Sequence, residues 1–261
     1  MPRPLLRVVV DGRAPGAWNM AVDDALLRRP GSGWTLRFYG WDRPTVSLGY
    51  AQPLRGAVDE ALARRLGIPL VRRPTGGRAV LHADEITYAI TAPADQGPLA
   101  GAVSAAYRRI AAGLQTGFGR LGATVDVERA GVAPSPAHKG ACFSARTRYE
   151  LSAGGRKLAG SAQRRRDGRL LQHGSLLLGR PDARLWAALG EGYEEALDAS
   201  LGLDELMPAR PARRVLVAAL SHGIADALGL PLRATRLSTA ERRAARRRYA
   251  TYRDPAWTRR R

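Results

Sequence analysis

Cysteine occurs once in the 261-residue chain, at Cys142, and lysine only twice, at Lys139 and Lys157. A single thiol can form no intrachain disulfide and cannot build a cysteine-based zinc site, so Cys142 acts, where it acts, as a thiol. Long apolar runs are also missing. Stretches such as residues 215–220 fall far short of the ~18–20 residues that a membrane-crossing helix needs. Residues 5–10 are interrupted by Arg7 and closed by Asp11, too short for the apolar core of a secretory signal, which makes the cytoplasm the expected compartment. Carboxylate or histidine clusters at metal-ligand spacing are lacking, as is a Gly-x-Ser-x-Gly elbow, so neither a protein-held metal nor a serine-hydrolase centre is expected.

What is present is the composition of a folded domain, 45% apolar and 25% charged. At ~100–200 residues per domain the length predicts one large domain, able to bury a full core. Its natural internal division is a core over residues 1–180 and a C-terminal helical part of the same domain over 181–261. The 42 basic and 23 acidic residues give a net charge of +19, which points to an anionic partner. Because nearly every basic residue is arginine, part of that charge reflects coding bias. The corollary is that a retained lysine marks a place where a compact, deprotonatable ammonium is needed.

Apolar spacing predicts strands over residues 5–10, 34–39, 45–48, 70–73, 79–81, 86–91 and 124–128. It predicts helices over 18–29, 54–66 and 100–121, the last with Val103, Tyr107, Ile110, Leu114, Phe118 and Leu121 on one face. Gly154-Gly155 and Asp167-Gly168 each separate runs that can pair, so residues 149–178 read as an antiparallel meander. Beyond Pro181 the chain turns helical, over 183–199, over 213–228, and from a capping box at Ser238-Thr239-Ala240-Glu241. Strands and helices interleave early and segregate late. That predicts an α+β fold with a mixed, largely antiparallel sheet flanked by helices, and a small C-terminal helical extension.

Three segments could carry chemistry. In Arg72-Arg73-Pro74-Thr75-Gly76-Gly77-Arg78-Ala79-Val80-Leu81-His82, paired glycines let the backbone approach a ligand and flanking arginines can grip a carboxylate or phosphate. The same pattern also suits a plain hairpin turn. In Gly140-Ala141-Cys142-Phe143-Ser144 the thiol has Lys139 close in sequence, and a nearby cation raises the thiolate fraction. A free cysteine is otherwise a small core residue. In the meander, Lys157, the small residues Gly160, Ser161 and Ala162, and Gln172-His173-Gly174-Ser175 lie on strands joined by one turn, which leaves room for a ligand against the sheet.

Taken in order, Trp18-Asn19-Met20-Ala21-Val22-Asp23, Leu36-Arg37-Phe38-Tyr39-Gly40-Trp41, Pro44-Thr45-Val46-Ser47-Leu48-Gly49, the Arg72 to His82 loop and the meander motifs resemble the biotin/lipoate protein ligase superfamily. The resemblance spans about residues 15–180 and implies the class II ligase-like catalytic domain. Within the superfamily, ATP-dependent lipoate ligases typically carry a third glycine where this chain has Arg78. The Gly-Gly-Arg form, with Cys142-Phe143 followed by Tyr149-Glu150, is similar to the cysteine-dependent octanoyltransferases.

That branch implies ping-pong transfer from octanoyl acyl carrier protein to a lysine of a lipoyl-domain acceptor of the glycine cleavage H protein type. Cys142 would be the nucleophile and Lys157, with a pKa lowered by burial, would orient the acyl carbonyl and assist proton transfer. Arg73, Gly76, Gly77, Arg78, His82, Gly160, Ser161, Ala162, His173 and Gly174 would form the substrate site. The branch further implies a monomer using no ATP, metal or cofactor, and binding neither nucleic acid nor membrane. An ATP-dependent ligase, an acyltransferase between lipoyl domains, and a nucleic-acid binder suggested by charge remain the other readings.

Overall fold

The computed structural model describes residues 4–29, 33–128 and 149–260. In chain order its first half runs β1 (Leu6–Ala14), α1 (Gly16–Leu27), β2 (Trp34–Trp41), β3 (Thr45–Leu48), α2 (Glu60–Arg65), β4 (Leu70–Arg72), β5 (Val80–His82), β6 (Glu85–Pro93) and α3 (Val103–Gly119). The second half runs β7 (Asp126–Val127), β8 (Leu151–Ala153), β9 (Arg156–Arg166), β10 (Arg169–Leu177), α4 (Ala183–Trp186), α5 (Tyr193–Asp198), α6 (Arg213–Leu228), β11 (Leu232–Thr235), α7 (Thr239–Arg253) and α8 (Pro255–Arg259). Among the described residues no helix is long and apolar enough to cross a membrane.

The large sheet has the order β11-β1-β2-β6-β10-β9-β8-β7. Its first three strands are parallel, with α1 as the crossover that a parallel β1–β2 pair requires, and every later pairing is antiparallel. The α+β architecture with a mixed, largely antiparallel sheet is therefore the one expected. Both predicted turns close their hairpins with two left-handed residues, φ 55° and 74° at Gly154-Gly155 and 50° and 69° at Asp167-Gly168. Such turns match the twist of the strands they join.

Strand β2 is buried on both faces and its side chains alternate accordingly. Trp34, Leu36 and Phe38 face a core shared with Ile110 and Leu114 of α3 and Leu220 and Ile224 of α6. Tyr39 and Trp41 face the other way, with Met20 of α1 and Tyr252 of α7. The helices α3 and α6 touch backbone to backbone, since a Cβ on Gly113 would lie 2.7 Å from the Ile224 Cα. The capping box at the start of α7 forms as predicted, with Ser238 Oγ accepting from Glu241 N at 3.2 Å and Glu241 Oε2 from Ser238 N at 2.7 Å.

A second, three-stranded sheet has the order β4-β3-β5 and its own core of Val46, Leu48, Leu81, Trp186 and Leu189. Two predicted helices are shorter than their spacing suggested. Gly56 at φ 79° keeps the chain out of the helix until Asp59 caps α2 through Leu62 N. Gly190 and Gly192, at φ 70° and 78°, divide 183–199 into α4, a 3₁₀ turn and α5. Their apolar residues are still buried, in the second core. The two sheets meet along a cleft, and the glycine loop that joins β4 to β5 hangs over it.

Candidate active site

The cleft is narrow, with a volume of about 30 Å³. Its apolar lining comes from Met20 on α1, Tyr39 and Trp41 on β2, and Val80 on β5. Small residues of β9 and β10 leave the space open: Gly160, Ser161, Ala162 and Gly174. Gly174 has to lack a side chain, because a Cβ there would lie 2.8 Å from the Gly160 carbonyl oxygen and 2.7 Å from the Tyr88 ring. A mostly apolar slot with a few fixed polar groups suits an acyl chain better than a charged ligand.

Arg73 closes one wall, although its guanidinium does not point at an open anion site. Nε and Nη2 donate to the Gly76 carbonyl at 3.1 and 2.7 Å, Nη2 also to Arg78 O at 2.7 Å, and Nη1 to Ser47 O and Oγ at 2.9 and 3.2 Å. All five donors hold the glycine loop and its neighbour β3. The geometry of a trans peptide then fixes the loop's other face: with the Gly76 carbonyl turned to Arg73, the Gly77 N–H points the opposite way. That amide has no acceptor among the described residues. Gly77 itself is left-handed at φ 88°, and Gly76 and Gly77 are exposed while Arg78 is half-buried.

Two imidazoles bridge the sheets beneath this loop. His173 on β10 donates from Nδ1 to Asp23 Oδ2 at 3.0 Å, and its Nε2 lies 2.6 Å from Thr75 Oγ1. Asp23, on α1, also accepts from Arg37 Nη1 and the Tyr39 hydroxyl, both at 2.8 Å. Burial alone would raise the Asp23 carboxyl, but the His173 hydrogen bond and the Arg37 charge outweigh it and hold the pKa below the usual range. Burial pushes His173 below an ordinary histidine against the pull of Asp23. The ring is therefore neutral at pH 7, with its proton on Nδ1 and its Nε2 lone pair taking the Thr75 hydroxyl proton.

The second imidazole, His82 on β5, donates from Nδ1 to Glu85 Oε2 at 2.9 Å, has Ser47 Oγ 2.8 Å from Nε2, and stacks on Trp41 at 3.8 Å. Glu85 also accepts from Trp41 Nε1, Thr87 and Ser175. Burial would raise its pKa, but the His82 charge and these hydrogen bonds keep it lowered.

Lys157 on β9 is buried, as the sequence suggested, but it does not line the cleft. Its Nζ lies 2.7 Å from Glu150 Oε1, and both side chains are buried. Cys142 lies outside the described residues. Tyr149, seven positions later in the chain, lines a second opening with Gly76, Gly77 and Tyr107, and this opening shares Ser161 and Ala162 with the cleft. On the rim Tyr50 lies between the guanidinium groups of Arg164 and Arg260, at 4.2 and 4.1 Å, and hydrogen bonds from both lower its pKa. Among the described residues no three histidine, cysteine or acidic side chains group to hold a metal.

Of the residues singled out from sequence, His82, His173, Arg73, Gly160, Ser161, Ala162 and Gly174 converge on the cleft, with Gly76 and Gly77 at its mouth. Asp23, Thr75, Ser47, Glu85 and Glu150 were not assigned roles. One available signal was Asp23-Asp24, two charges inside a helix that is apolar apart from Asn19, which need buried partners.

A family model of the lipoyl protein ligase A/B catalytic domain matches residues 15–199. Octanoyltransferase LipM of Moorella thermoacetica is 39% identical over 236 residues, covering 88% of this chain and 81% of that protein. Its counterpart in Kyrpidia tusciae is 38% identical over 270 residues, 96% of this chain and 97% of the other. Two solved structures share the fold. Lipoate-protein ligase A bound with ATP has a TM-score of 0.82 at 21% identity, over 98% of each chain. A bipartite lipoate protein ligase of Thermoplasma acidophilum has a TM-score of 0.78 at 20% identity, over 98% of this chain and 96% of that one.

Proposed function

The chain belongs to the lipoyl protein ligase A/B catalytic-domain family, and we propose that it carries an octanoyl group from acyl carrier protein to the lysine of a lipoyl domain, through a thioester on Cys142. The observation that carries this reading is near-full-length relationship to octanoyltransferases at close to 40% identity. The chain is an acyltransferase of lipoate biosynthesis; the nucleophile, the two partner proteins, a cytoplasmic location and a monomeric state are our assignment.

In the first half-reaction the Cys142 thiolate attacks the carbonyl carbon of the octanoyl thioester. The new C–S bond forms as the bond to the carrier sulfur breaks, and the carrier leaves as a thiolate that takes up a proton. In the second, the acceptor lysine amine attacks the same carbon, the C–N bond forms, and the amine proton ends on the departing Cys142 sulfur. Thioester to thioester is nearly isoenergetic and thioester to amide runs downhill, so no ATP is consumed. Both tetrahedral intermediates carry an oxyanion, and the outward-turned Gly77 N–H is the donor we assign to it. Such a donor is worth roughly 3–4 kcal/mol. Lys157, with Glu150 beside it, handles the proton, while the cleft walls of Met20, Trp41 and Val80 take the alkyl chain.

The test is the intact mass of the protein after brief mixing with octanoyl acyl carrier protein without ATP, beside a Cys142→Ala control. One octanoyl group on the wild type, absent from the control and discharged by a lipoyl domain, is the expected result. No adduct, with lipoyl-domain modification only when free octanoate, ATP and magnesium are supplied, assigns the chain to the ligases instead.

A further inference from the structure

Thr75, at the base of the glycine loop, carries a side-chain tie to the large sheet, and that tie ends in a neutral histidine oriented by a buried carboxylate. We infer that Asp23, His173 and Thr75 form a positioning relay for acyl transfer, holding the Gly76–Gly77 peptide at the angle that presents the Gly77 N–H to the reacting carbonyl. The inference rests on the octanoyl-transfer reading.

Asp23 is fully buried and ionised, an acceptor only, so it obliges His173 to carry its proton on Nδ1. The remaining lone pair on Nε2 then obliges Thr75 to point its hydroxyl proton inward at 2.6 Å. With the Thr75 side chain set from below and the Gly76 carbonyl set by Arg73 at 2.7 Å, the next peptide has little freedom to rotate. The Thr75 carbonyl is taken as well, by Tyr50 N at 2.7 Å. Three segments far apart in the chain thus converge on one peptide. Arg37 and Tyr39 from β2 complete the charged and polar surroundings of the carboxylate. His173 also borders the cleft, whereas Asp23 and Thr75 do not line it and act through the loop.

Thr75→Val removes the hydroxyl while keeping the shape, and Thr75→Ser keeps the hydroxyl. In single-turnover acylation of Cys142 by octanoyl acyl carrier protein, Thr75→Val is expected to slow the limiting rate by roughly 10- to 100-fold, as a displaced donor does. The half-saturating donor concentration stays within about twofold, since Thr75 lines neither the cleft nor the second opening, and Thr75→Ser recovers most of the rate. Nitrogen-15 NMR of the wild type is expected to show His173 protonated on Nδ1 and bare on Nε2, a measurement that does not depend on any variant folding. A folded Thr75→Val that acylates at the wild-type rate, a change confined to half-saturation, or the opposite His173 tautomer overturns the relay alone. A wild type that takes no octanoyl group overturns the transferase reading, and the relay's role with it.

Discussion

Gly49→Ala tests whether the glycine loop works in the place where it is held. Gly49 follows β3 and passes directly under the loop: an added methyl would overlap the Gly77 carbonyl oxygen and lie 2.9 Å from its carbonyl carbon. Carbon atoms in contact normally sit ~3.5–4.0 Å apart and the carbonyl oxygen is nearer still, so the loop has to retreat by more than about 1 Å. Gly49 cannot yield instead, because its own carbonyl is held by Arg72 Nη1 at 2.6 Å and Arg72 is wholly buried. Overpacking of this kind costs ~1–3 kcal/mol, a fraction of the ~5–15 kcal/mol that keeps a domain folded, so the variant should remain folded. A donor displaced by 1 Å can cost ~100-fold in rate. Single-turnover acylation followed by intact mass, with denaturant unfolding measured alongside, is expected to show that loss. Gly119→Ala, where an added methyl meets nothing within 4 Å, serves as the control. A folded Gly49→Ala that acylates within about twofold of wild type would refute the assignment of the Gly77 amide to the oxyanion, since no such rate survives its displacement.

Three other perturbations test the frame. Gly223→Ala sets a methyl 2.8 Å from Gly117 Cα between α6 and α3 and should lower the unfolding free energy by roughly 1–3 kcal/mol, seen as a lower denaturation midpoint at an unchanged denaturant slope. Glu241, which caps α7 and pairs with Arg7 and Arg29, has its pKa lowered from 4.5 to about 2, the hydrogen bonds outweighing burial. Because the folded value lies below the unfolded one, its stabilisation is complete above about pH 4.5 and disappears as the pH falls towards about 2. Glu241→Gln should therefore be less stable at pH 7 by on the order of 1–2 kcal/mol, with the two proteins converging in acid, as urea unfolding against pH would show. Arg72→Lys replaces a guanidinium that donates to Thr258 O, Gly49 O and Gln52 O at 2.6–3.0 Å, a spread that one ammonium cannot span. Faster limited proteolysis within α8 is expected, and unchanged cleavage would mean that α8 is held elsewhere.

Local signals in the sequence were enough for the elements that local chemistry decides. The strand over 45–48, the two left-handed hairpin turns and the capping box at Ser238 are all present where residue type predicts them. Where local signals compete, a glycine at positive φ overrides apolar spacing. Leu54, Ala57 and Val58 recur like a helix face, yet Gly56 makes them a loop buried in the second core. The strand over Leu232–Thr235 was missed for a different reason. It is a four-residue edge strand whose partner, β1, lies more than two hundred positions away, and a parallel pairing leaves no turn beside it to read.

The site shows the same division at closer range. His82, His173 and the glycine loop were readable because each stands out in its own segment. Their partners were not, since 150 positions separate Asp23 from His173, and 98 separate His173 from Thr75. Arg73 shows how the limit works. From sequence, an arginine beside two glycines suggests an anion grip, whereas in the fold its donors hold the loop's own carbonyls. Both descriptions fit the same residue, and the choice depends on which face of the Gly76–Gly77 peptide meets the guanidinium. By taking the carbonyl side, Arg73 leaves an N–H to face outward, and in the reaction we propose the basic residue serves the oxyanion by turning a neutral amide towards it. A cation placed there directly would also hold any carboxylate or phosphate that entered. An amide selects for charge that appears during the reaction, which suits a neutral thioester that becomes an oxyanion only at its transition state.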